Sequence, residues 1–292
     1  IYVHELPENH RFPMEKYDLL PRQLIHEGTI EKSQFFEPGP MENMHVEAVH
    51  SGNYLNRLRN LEITKKEQRI SGFVHNETLI EREWTIMEGT RKAAELAMEQ
   101  NICFNIAGGT HHAFSDRGEG FCLLNDQVIA AHWLINQNLA NKILIIDLDV
   151  HQGNGSAALC AKKDNIFTFS MHGKNNYPLR KELSDLDIEL EDGTKDAAYL
   201  YQLKDGLEHI TKHFEPEFIF YQAGVDVLES DKLGRLNLSI DGCKARDSIV
   251  FDYSRQLEVP IVTTMGGGYS EEINRIVEAH ANTYRCAYDI RG

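Results

Sequence analysis

Two carboxylates and an imidazole occupy alternating positions at the end of one apolar run. Asp147 ends the run 142–147, and Asp149 and His151 follow at every second position. Alternate side chains of an extended backbone share a face, so these three side chains point the same way. Carboxylates and imidazole without a thiolate suit Zn²⁺, Fe²⁺ or Mn²⁺, and two buried acids need a cation nearby. The spacing predicts a metal site, and solvated acids that cap a strand are the alternative.

A third protein ligand must come from the end of another apolar run. Asp226 and Asp231 follow the run 218–222, in the loop 223–234. A catalytic zinc site usually takes three protein ligands and leaves a position for water, so one of these acids would complete the set. Their spacing does not choose between them, and either is also explained as an ordinary loop acid.

Adjacent histidines and a tyrosine lie in glycine-rich segments. His111 and His112 follow two glycines, which let the backbone approach a ligand closely. Adjacent imidazoles favour proton transfer, and Asp147 and Asn154 are groups that could orient them through their distal nitrogens. Tyr269 follows three glycines, and a phenol hydroxyl can donate to a developing oxyanion. Read alone, structural histidines and a conformational turn explain the same residues.

The elements that must position these residues alternate between short apolar runs and amphipathic stretches from residue 83 onward. That alternation predicts βαβ units, an α/β fold and a largely parallel sheet. The predicted strands are 102–106, 142–147, 166–170, 218–222 and 260–265. The predicted helices are 83–99, 126–136, 197–213, 241–256 and 270–284. Ser270 is the predicted N-cap of the last helix, with Glu271 and Glu272 in its first turn.

In an open α/β sheet, ligands bind beyond the carboxyl ends of the strands. Polar segments follow four of the five predicted strands, at 108–112, 147–155, 223–226 and 266–269. We therefore expect the candidate residues to meet at one edge of the sheet.

Composition narrows the function. The chain has 292 residues, with 30 Lys and Arg against 45 Asp and Glu, and a net charge of −15. That balance argues against direct nucleic-acid binding and favours cationic ligands. The five cysteines form no CxxC pair, and no apolar stretch is long enough to span a membrane. Since no linker or internal repeat is visible, we expect one cytoplasmic domain over residues 1–292 that binds no membrane.

Taken together, the motifs resemble the zinc-dependent histone deacetylase family. They are GGTHHA at 108–113, GFC at 120–122, DLDVHQGNG at 147–155, AGVD at 223–226, DKLG at 231–234 and GGGY at 266–269. The segment 49–55 is similar to an early segment of the family near its pocket rim. The motif variants and the short chain are most similar to the class IV branch and its bacterial relatives. The resemblance implies a single-domain arginase/deacetylase fold, with a mostly parallel sheet of about eight strands flanked by helices.

The resemblance also implies roles for individual residues. The implied zinc ligands are Asp149, His151 and Asp231, so that Asp226 would not be a ligand, and ferrous iron is the alternative metal. The implied catalytic residues are His111, His112, Tyr269, Asp147 and Asn154. His112 would be the general base and acid, and Tyr269 would polarise the acyl carbonyl. The implied residues of a structural potassium site are Asp147, Asp149, His151, Ser170 and Met171. The implied substrate-binding residues are Gly120, Phe121, Tyr177 and Gly267.

Two departures from the family pattern concern the base and the substrate. Asn154 stands where class I enzymes have an acid, so His112 would have a neutral partner and be less basic. The acidic loop that grips the substrate backbone in class I has no clear counterpart.

The implied function is removal of acetyl or longer acyl groups from the ε-amine of lysine in proteins. Alternatives are an acetylpolyamine amidohydrolase, a long-chain fatty acyl-lysine deacylase and a silent acyl-lysine binding module, and the physiological substrate and oligomeric state are left open.

Overall fold

Six parallel strands form the sheet of the computed structural model, which describes residues 1–8 and 10–291. The strands are β1 (Ile102–Asn105), β2 (Ile143–Asp147), β3 (Ile166–Gly173), β4 (Leu186–Leu190), β5 (Phe218–Gln222) and β6 (Ile261–Thr264). They lie in the order β1-β6-β5-β2-β3-β4. The register aligns the last residues of four strands, namely Asn105, Thr264, Gln222 and Asp147. The segments that follow these residues therefore meet at one edge, as predicted.

The expectation of about eight strands is wrong for the described residues of this chain. Two further pairings, Glu119 with Cys122 and Leu228 with Leu238, remain isolated bridges. The backbone around the first bridge turns through positive φ at Gly120 and Phe121, so that it cannot continue as a strand. These loops bring side chains to the sheet edge instead of extending the sheet.

The strand β4 lies outside the predicted set. Its residues Leu186–Leu190 alternate between apolar and acidic side chains, and it forms one edge of the sheet. The central strands β2 and β5 are buried at every position, as their continuous apolar runs predict. An edge strand is covered less completely and needs no such run, so a search for apolar runs does not find it.

The helices of the described residues are α1 (Lys16–His26), α2 (Asn43–Glu47), α3 (Gly52–Arg59), α4 (Lys65–Ser71), α5 (Glu77–Gln100), α6 (Asp126–Asn136), α7 (Asn154–Cys160), α8 (Asp196–His213), α9 (Ile240–Leu257) and α10 (Ile273–Arg291). The prediction for α6 is confirmed in both bounds. Helix α5 begins at Glu77 because the side chain of Asn76 accepts a hydrogen bond from the Leu79 N–H. In the described part of the chain, no helix combines the length and the apolar character needed to cross a bilayer.

The predicted start of the last helix at Ser270 is wrong. Helix α10 begins at Ile273, so Glu271 and Glu272 precede its first turn. The hydroxyl of Ser270 instead forms a hydrogen bond with the Ser230 hydroxyl at 2.8 Å. This contact joins the loop after β6 to the loop after β5.

Alternate residues of the central strands face two different layers of helices. In β2, Leu144 and Ile146 belong to the apolar cluster that contains residues of α8, α9 and α10. Ile143 and Ile145 belong to a second cluster, with residues of α5 and α6. Each face of the sheet is therefore covered by helices, which is the α/β architecture that the sequence predicts.

The first 80 residues pack against the C-terminal helix and belong to the same single domain. Leu20 of α1 is fully buried in one apolar cluster with Val277 and Tyr284 of α10. The amide of Gln23 donates to the Glu278 carboxylate at 2.7 Å. Helices α1 and α10 thus pack against each other beside the sheet.

One buried arginine fastens α9 to the sheet edge where the candidate residues meet. Arg246 is fully buried, and its guanidinium donates to the backbone carbonyls of Leu148 and Gly224, just beyond β2 and β5. It also forms an ion pair with Asp247, whose carboxylate accepts a hydrogen bond from Thr283 of α10. These bonds fix the two loops that follow the central strands.

We expect Arg246→Leu to lower the free energy of unfolding by about 3–5 kcal/mol, because it leaves the buried Asp247 carboxylate without its cation. Arg255→Leu is the matched control in the same helix, since Arg255 pairs with Asp252 at the surface. Its effect should be several times smaller. Chemical denaturation followed by circular dichroism measures both, and equal losses in the two variants would contradict the prediction.

Candidate active site

Three buried side chains bring their ligand atoms together beyond the ends of β2 and β5. Asp149, His151 and Asp226 each offer one ligand atom, and these atoms all lie within 4.8 Å of one another. His151 Nδ1 lies 3.0 Å from Asp149 Oδ1 and 3.1 Å from Asp226 Oδ2. The predicted pair Asp149 and His151 is thus brought together, with Asp226 as the third member.

Among the described residues Asp231 does not belong to this cluster, and its assignment as the third ligand in place of Asp226 stays a prediction. Asp231 Oδ1 accepts hydrogen bonds from the N–H groups of Leu233 and Gly234, each at 2.8 Å. Its other oxygen accepts from the Tyr269 N–H at 2.6 Å. Backbone donors therefore occupy the Asp231 carboxylate, which ties its own turn to the backbone of Tyr269.

The cluster of Asp149, His151 and Asp226 suits a divalent cation. Asp226 Oδ2 is buried and accepts no hydrogen bond from the described residues, although His151 lies near it. Burial, followed by repulsion from Asp149, raises the pKa of Asp226 to about 7. Burial lowers the pKa of His151, but the neighbouring carboxylates of Asp149 and Asp226 outweigh it and raise the pKa to about 10. With these raised pKa values, His151 and Asp226 hold protons that a bound cation would displace.

The loop after β6 comes so close to the acids that a side chain does not fit. The Gly267 N–H donates to Asp149 Oδ2 at 2.8 Å. A Cβ atom on Gly267 would lie 2.0 Å from Asp226 Oδ2. This close approach brings Tyr269 to the site, where its ring centroid lies 6.4 Å from that of His151. Burial, followed by the charges of Asp226 and Asp149, raises the pKa of Tyr269 well above its usual value, so the phenol remains a donor.

The two adjacent histidines have different partners. His111 Nδ1 lies 2.6 Å from Asp147 Oδ2, and His112 Nδ1 lies 2.7 Å from Asn154 Oδ1. Burial lowers the pKa of His111, but the charges of Asp147 and Asp149 outweigh it and the net shift is upward. Burial and the neighbouring His111 and His151 lower the pKa of His112 well below its usual value. His112 is therefore neutral at pH 7.

A carboxylate at the start of α6 holds the loop that carries the histidines. Asp126 is fully buried and accepts hydrogen bonds from the N–H groups of Gly109 and Thr110 and from the Thr110 hydroxyl. The Thr90 hydroxyl of α5 donates to the same carboxylate at 2.6 Å. The sequence analysis missed Asp126, whose signal is an acid in the first turn of a helix that follows GFC.

Aromatic side chains line an opening above the cluster. The Tyr177 ring lies 5.1 Å from the His112 ring, nearly perpendicular to it at 88°. Phe121 packs against Phe12 and Tyr269, with centroid distances of 5.3 and 5.9 Å. The structure thus brings the predicted pair Phe121 and Tyr177 to the rim of the candidate site, and adds Phe12. Below the rim lies a cavity of about 30 Å³, which also touches Gly120, Gly267, Tyr17, Arg82 and Ile86.

Lys16 is a buried cation that no sequence signal indicates. Its ammonium donates to the backbone carbonyl of Gly266 at 2.9 Å, across 250 positions of the sequence. Burial lowers its pKa to about 8, and the charges of Asp226 and Asp149 oppose this shift. The lysine therefore adds positive charge behind the acidic cluster.

The residues predicted for a potassium site lie on neighbouring strands. Ser170 of β3 is in register with Asp147 of β2, and both are buried. The Ser170 hydroxyl forms a hydrogen bond with His172 at 2.9 Å, and Met171 is fully buried. The potassium site stays a prediction.

Comparison with known proteins identifies the family and the fold. Residues 10–284 match the family described as Histone deacetylase domain. An uncharacterised protein of Picosynechococcus sp. is 39% identical over 289 residues, which cover 99% of this chain and 96% of that protein. Histone deacetylase 2 of Arabidopsis thaliana is 30% identical over 277 residues, which cover 92% of this chain and 72% of that protein. The crystal structure of an HDAC homolog from Aquifex aeolicus has the same fold, with a TM-score of 0.83 at 23% identity, over 97% of this chain and 81% of that chain.

We expect Asp226→Asn to weaken Zn²⁺ binding by more than about 100-fold, since loss of a group outside the ligand set already costs about 10–100-fold. Asp231→Asn is the matched control, and it should weaken binding by less than about tenfold because its amide oxygen still accepts backbone hydrogen bonds. Competition with a chromophoric chelator measures both affinities. A larger loss in Asp231→Asn than in Asp226→Asn would identify Asp231 as the third ligand instead.

Zinc binding should release protons in a number that falls as the pH rises. His151, with a pKa of about 10, is protonated in the free cluster, and Asp226, with a pKa of about 7, is protonated only at lower pH. We expect release of about two protons per ion near pH 6 and about one near pH 8. Calorimetric titration in buffers of different ionisation enthalpy counts them. Release that does not change with pH would show that Asp226 is not among the displaced groups.

Proposed function

Because the chain belongs to the histone deacetylase family, we propose that it is a metal-dependent hydrolase that removes acetyl groups from the ε-amine of lysine in proteins. The observation that carries the proposal is the buried cluster of Asp149, His151 and Asp226, with His112 and Tyr269 beside it. A base, an oxyanion donor and a cation site within one cavity suit amide hydrolysis.

The metal that we propose is Zn²⁺, with Fe²⁺ as the alternative. Two carboxylates and one imidazole are a suitable donor set for either ion, and the unpaired oxygen of Asp226 supports its place among the ligands. When bound, the ion would supply Lewis-acid activation of the acyl carbonyl and of a water molecule.

His112 is the proposed general base and acid. Its Nδ1 is occupied by Asn154, so Nε2 is the atom that accepts the proton of the attacking water. The same nitrogen then returns the proton to the leaving lysine amine. His111 is held by Asp147, and the charges of Asp147 and Asp149 outweigh burial and raise its pKa, which favours a proton on this imidazole beside the developing negative charge.

Tyr269 is the proposed donor to the carbonyl oxygen as negative charge develops on it. Its phenol stays protonated over the working pH range because its pKa is raised by burial and by the nearby acids. The Asp231 carboxylate holds the Tyr269 N–H and so fixes the backbone from which the ring projects. A donor that is already oriented costs no reorganisation during the reaction.

The cavity favours a short acyl group. Phe121 and Tyr177 at the rim suit the apolar stem of a lysine side chain. The space of about 30 Å³ below the rim supports a small acyl group such as acetyl. A long acyl chain would have to displace the side chains of Tyr17, Arg82 and Ile86.

Three finer assignments complete the proposal. We assign the chain to a class IV-like branch, which Asn154 opposite His112 supports. We keep potassium as the ion held by Asp147 and its neighbours on β3. We also propose a cytoplasmic location, which Cys122, Cys160, Cys243 and Cys286 support because none of them is in a disulfide and disulfides are rare in reducing compartments.

The test is hydrolysis of a panel of fluorogenic lysine peptides by the zinc-loaded protein. The panel covers acetyl, octanoyl, myristoyl and trifluoroacetyl groups, together with acetylputrescine and acetylspermidine. We expect the acetyl-lysine peptide to be turned over faster than the octanoyl and myristoyl peptides. Tyr269→Phe should lower kcat by at least about 100-fold, because it removes one oxyanion donor.

Tyr201→Phe is the matched control, since Tyr201 is an exposed tyrosine of α8, and it should keep full turnover. Turnover of acetylpolyamines alone would replace the proposal by a polyamine amidohydrolase. Preference for myristoyl-lysine would replace it by a long-chain deacylase. No turnover with zinc bound would favour a binding module.

A further inference from the structure

Glu119 connects the rim of the tunnel to the proposed base. Its Oε1 accepts a hydrogen bond from Arg117 Nε at 2.8 Å. Its Oε2 accepts from the Tyr177 hydroxyl at 2.6 Å and from Asn154 Nδ2 at 3.4 Å. Because Asn154 contacts His112 through its other end, the carboxylate is one amide away from the imidazole.

The carboxylate determines which way the Asn154 amide faces. An ionised carboxylate only accepts hydrogen bonds, so the NH₂ group of Asn154 must face Glu119. The contact of 3.4 Å is long, but the reversed amide would place Oδ1 at a similar distance from Glu119 Oε2. Two acceptors at that separation repel each other, which disfavours the reversed orientation.

The orientation of Asn154 in turn determines the tautomer of His112. With Oδ1 directed at Nδ1 at 2.7 Å, the imidazole must carry its proton on Nδ1. Nε2 is then unprotonated and can accept a proton. In the reversed orientation the amide would donate to Nδ1, and Nε2 would carry the proton and could not act as a base.

We propose that Glu119 is a positioning residue that keeps His112 in its base-competent tautomer by fixing the Asn154 amide. The effect on turnover rests on the proposed hydrolase function, whereas the tautomer itself does not. An aspartate at position 154 would accept from Nδ1 in either orientation and would need no such fixing. Because the amide of Asn154 can face either way, its orientation has to be fixed, and Glu119 fixes it.

Nitrogen-15 NMR of histidine-labelled, zinc-treated protein tests the proposal. Spectra near pH 9, above the ordinary histidine pKa of about 6.5, report the tautomer of neutral imidazoles. His112→Gln identifies the His112 signals among the 14 histidines. We expect wild type to show the Nδ1–H tautomer alone and Glu119→Gln to show the Nε2–H tautomer as well, because a glutamine amide also donates.

Asp116→Asn is the matched control, because Asp116 is an exposed carboxylate that pairs with the same Arg117. It should leave the tautomer of His112 unchanged. Tyr177→Phe should also leave it unchanged, since it removes a hydrogen bond to Glu119 but keeps the carboxylate. Adding Asn154→Asp to Glu119→Gln should restore the Nδ1–H tautomer.

In the lysine-peptide assay, Glu119→Gln should lower kcat about tenfold, part of the 10²–10⁴-fold that general base catalysis contributes. KM should change by less than about threefold. An unchanged tautomer in Glu119→Gln would overturn the proposal, whatever the effect on kcat. A shifted tautomer in a protein whose wild type hydrolyses no acyl-lysine would support the positioning role of Glu119 and contradict the proposed function instead.

Discussion

Three carboxylates lie buried beyond the ends of β2 and β5, and their charge must be balanced where water does not reach. Asp147, Asp149 and Asp226 are each at most 3% exposed. The groups that face them are His111, His151, Lys16 and the N–H groups of Val150 and Gly267. An unpaired charge in such a place would cost several kcal/mol, so the surrounding loops are arranged around these acids. We expect the same excess of negative charge to attract a cation to the cluster.

Two adjacent histidines beside these acids differ in the direction of their pKa shifts. His111 and His112 are equally buried and their rings lie 4.1 Å apart. Burial lowers the pKa of His111, but the charges of Asp147 and Asp149 outweigh it, whereas burial and the neighbouring imidazoles lower the pKa of His112 well below its usual value. The opposite directions of these two shifts favour His112 as the proton acceptor, although both residues are histidines.

Much of the fold could be predicted from the sequence, because buried strands and amphipathic helices leave periodic patterns. Helix α6 and strand β5 were predicted in both bounds, whereas the edge strand β4 carries no apolar run. The site was predicted where one extended segment carries the ligands, as for Asp149 and His151. The spacing does not choose between Asp226 and Asp231, because the surroundings of each carboxylate come from loops that the sequence pattern does not describe. Glu119 was likewise missed as a partner, because its contacts come from separate loops.

The contact between Lys16 and the Gly266 carbonyl has a consequence for the order in which the molecule is assembled. Its two partners are 250 positions apart, and contacts of that separation close late because the intervening chain must first be ordered. During synthesis, the ends of β2 and β5 with their acidic residues therefore leave the ribosome before the glycine-rich segment 266–269 and α10 have been made. A nascent chain that stops short of β6 contains Asp149, His151 and Asp226 but has neither Gly267 nor Tyr269. Synthesis must therefore pass residue 269 before this polypeptide can have its chemistry.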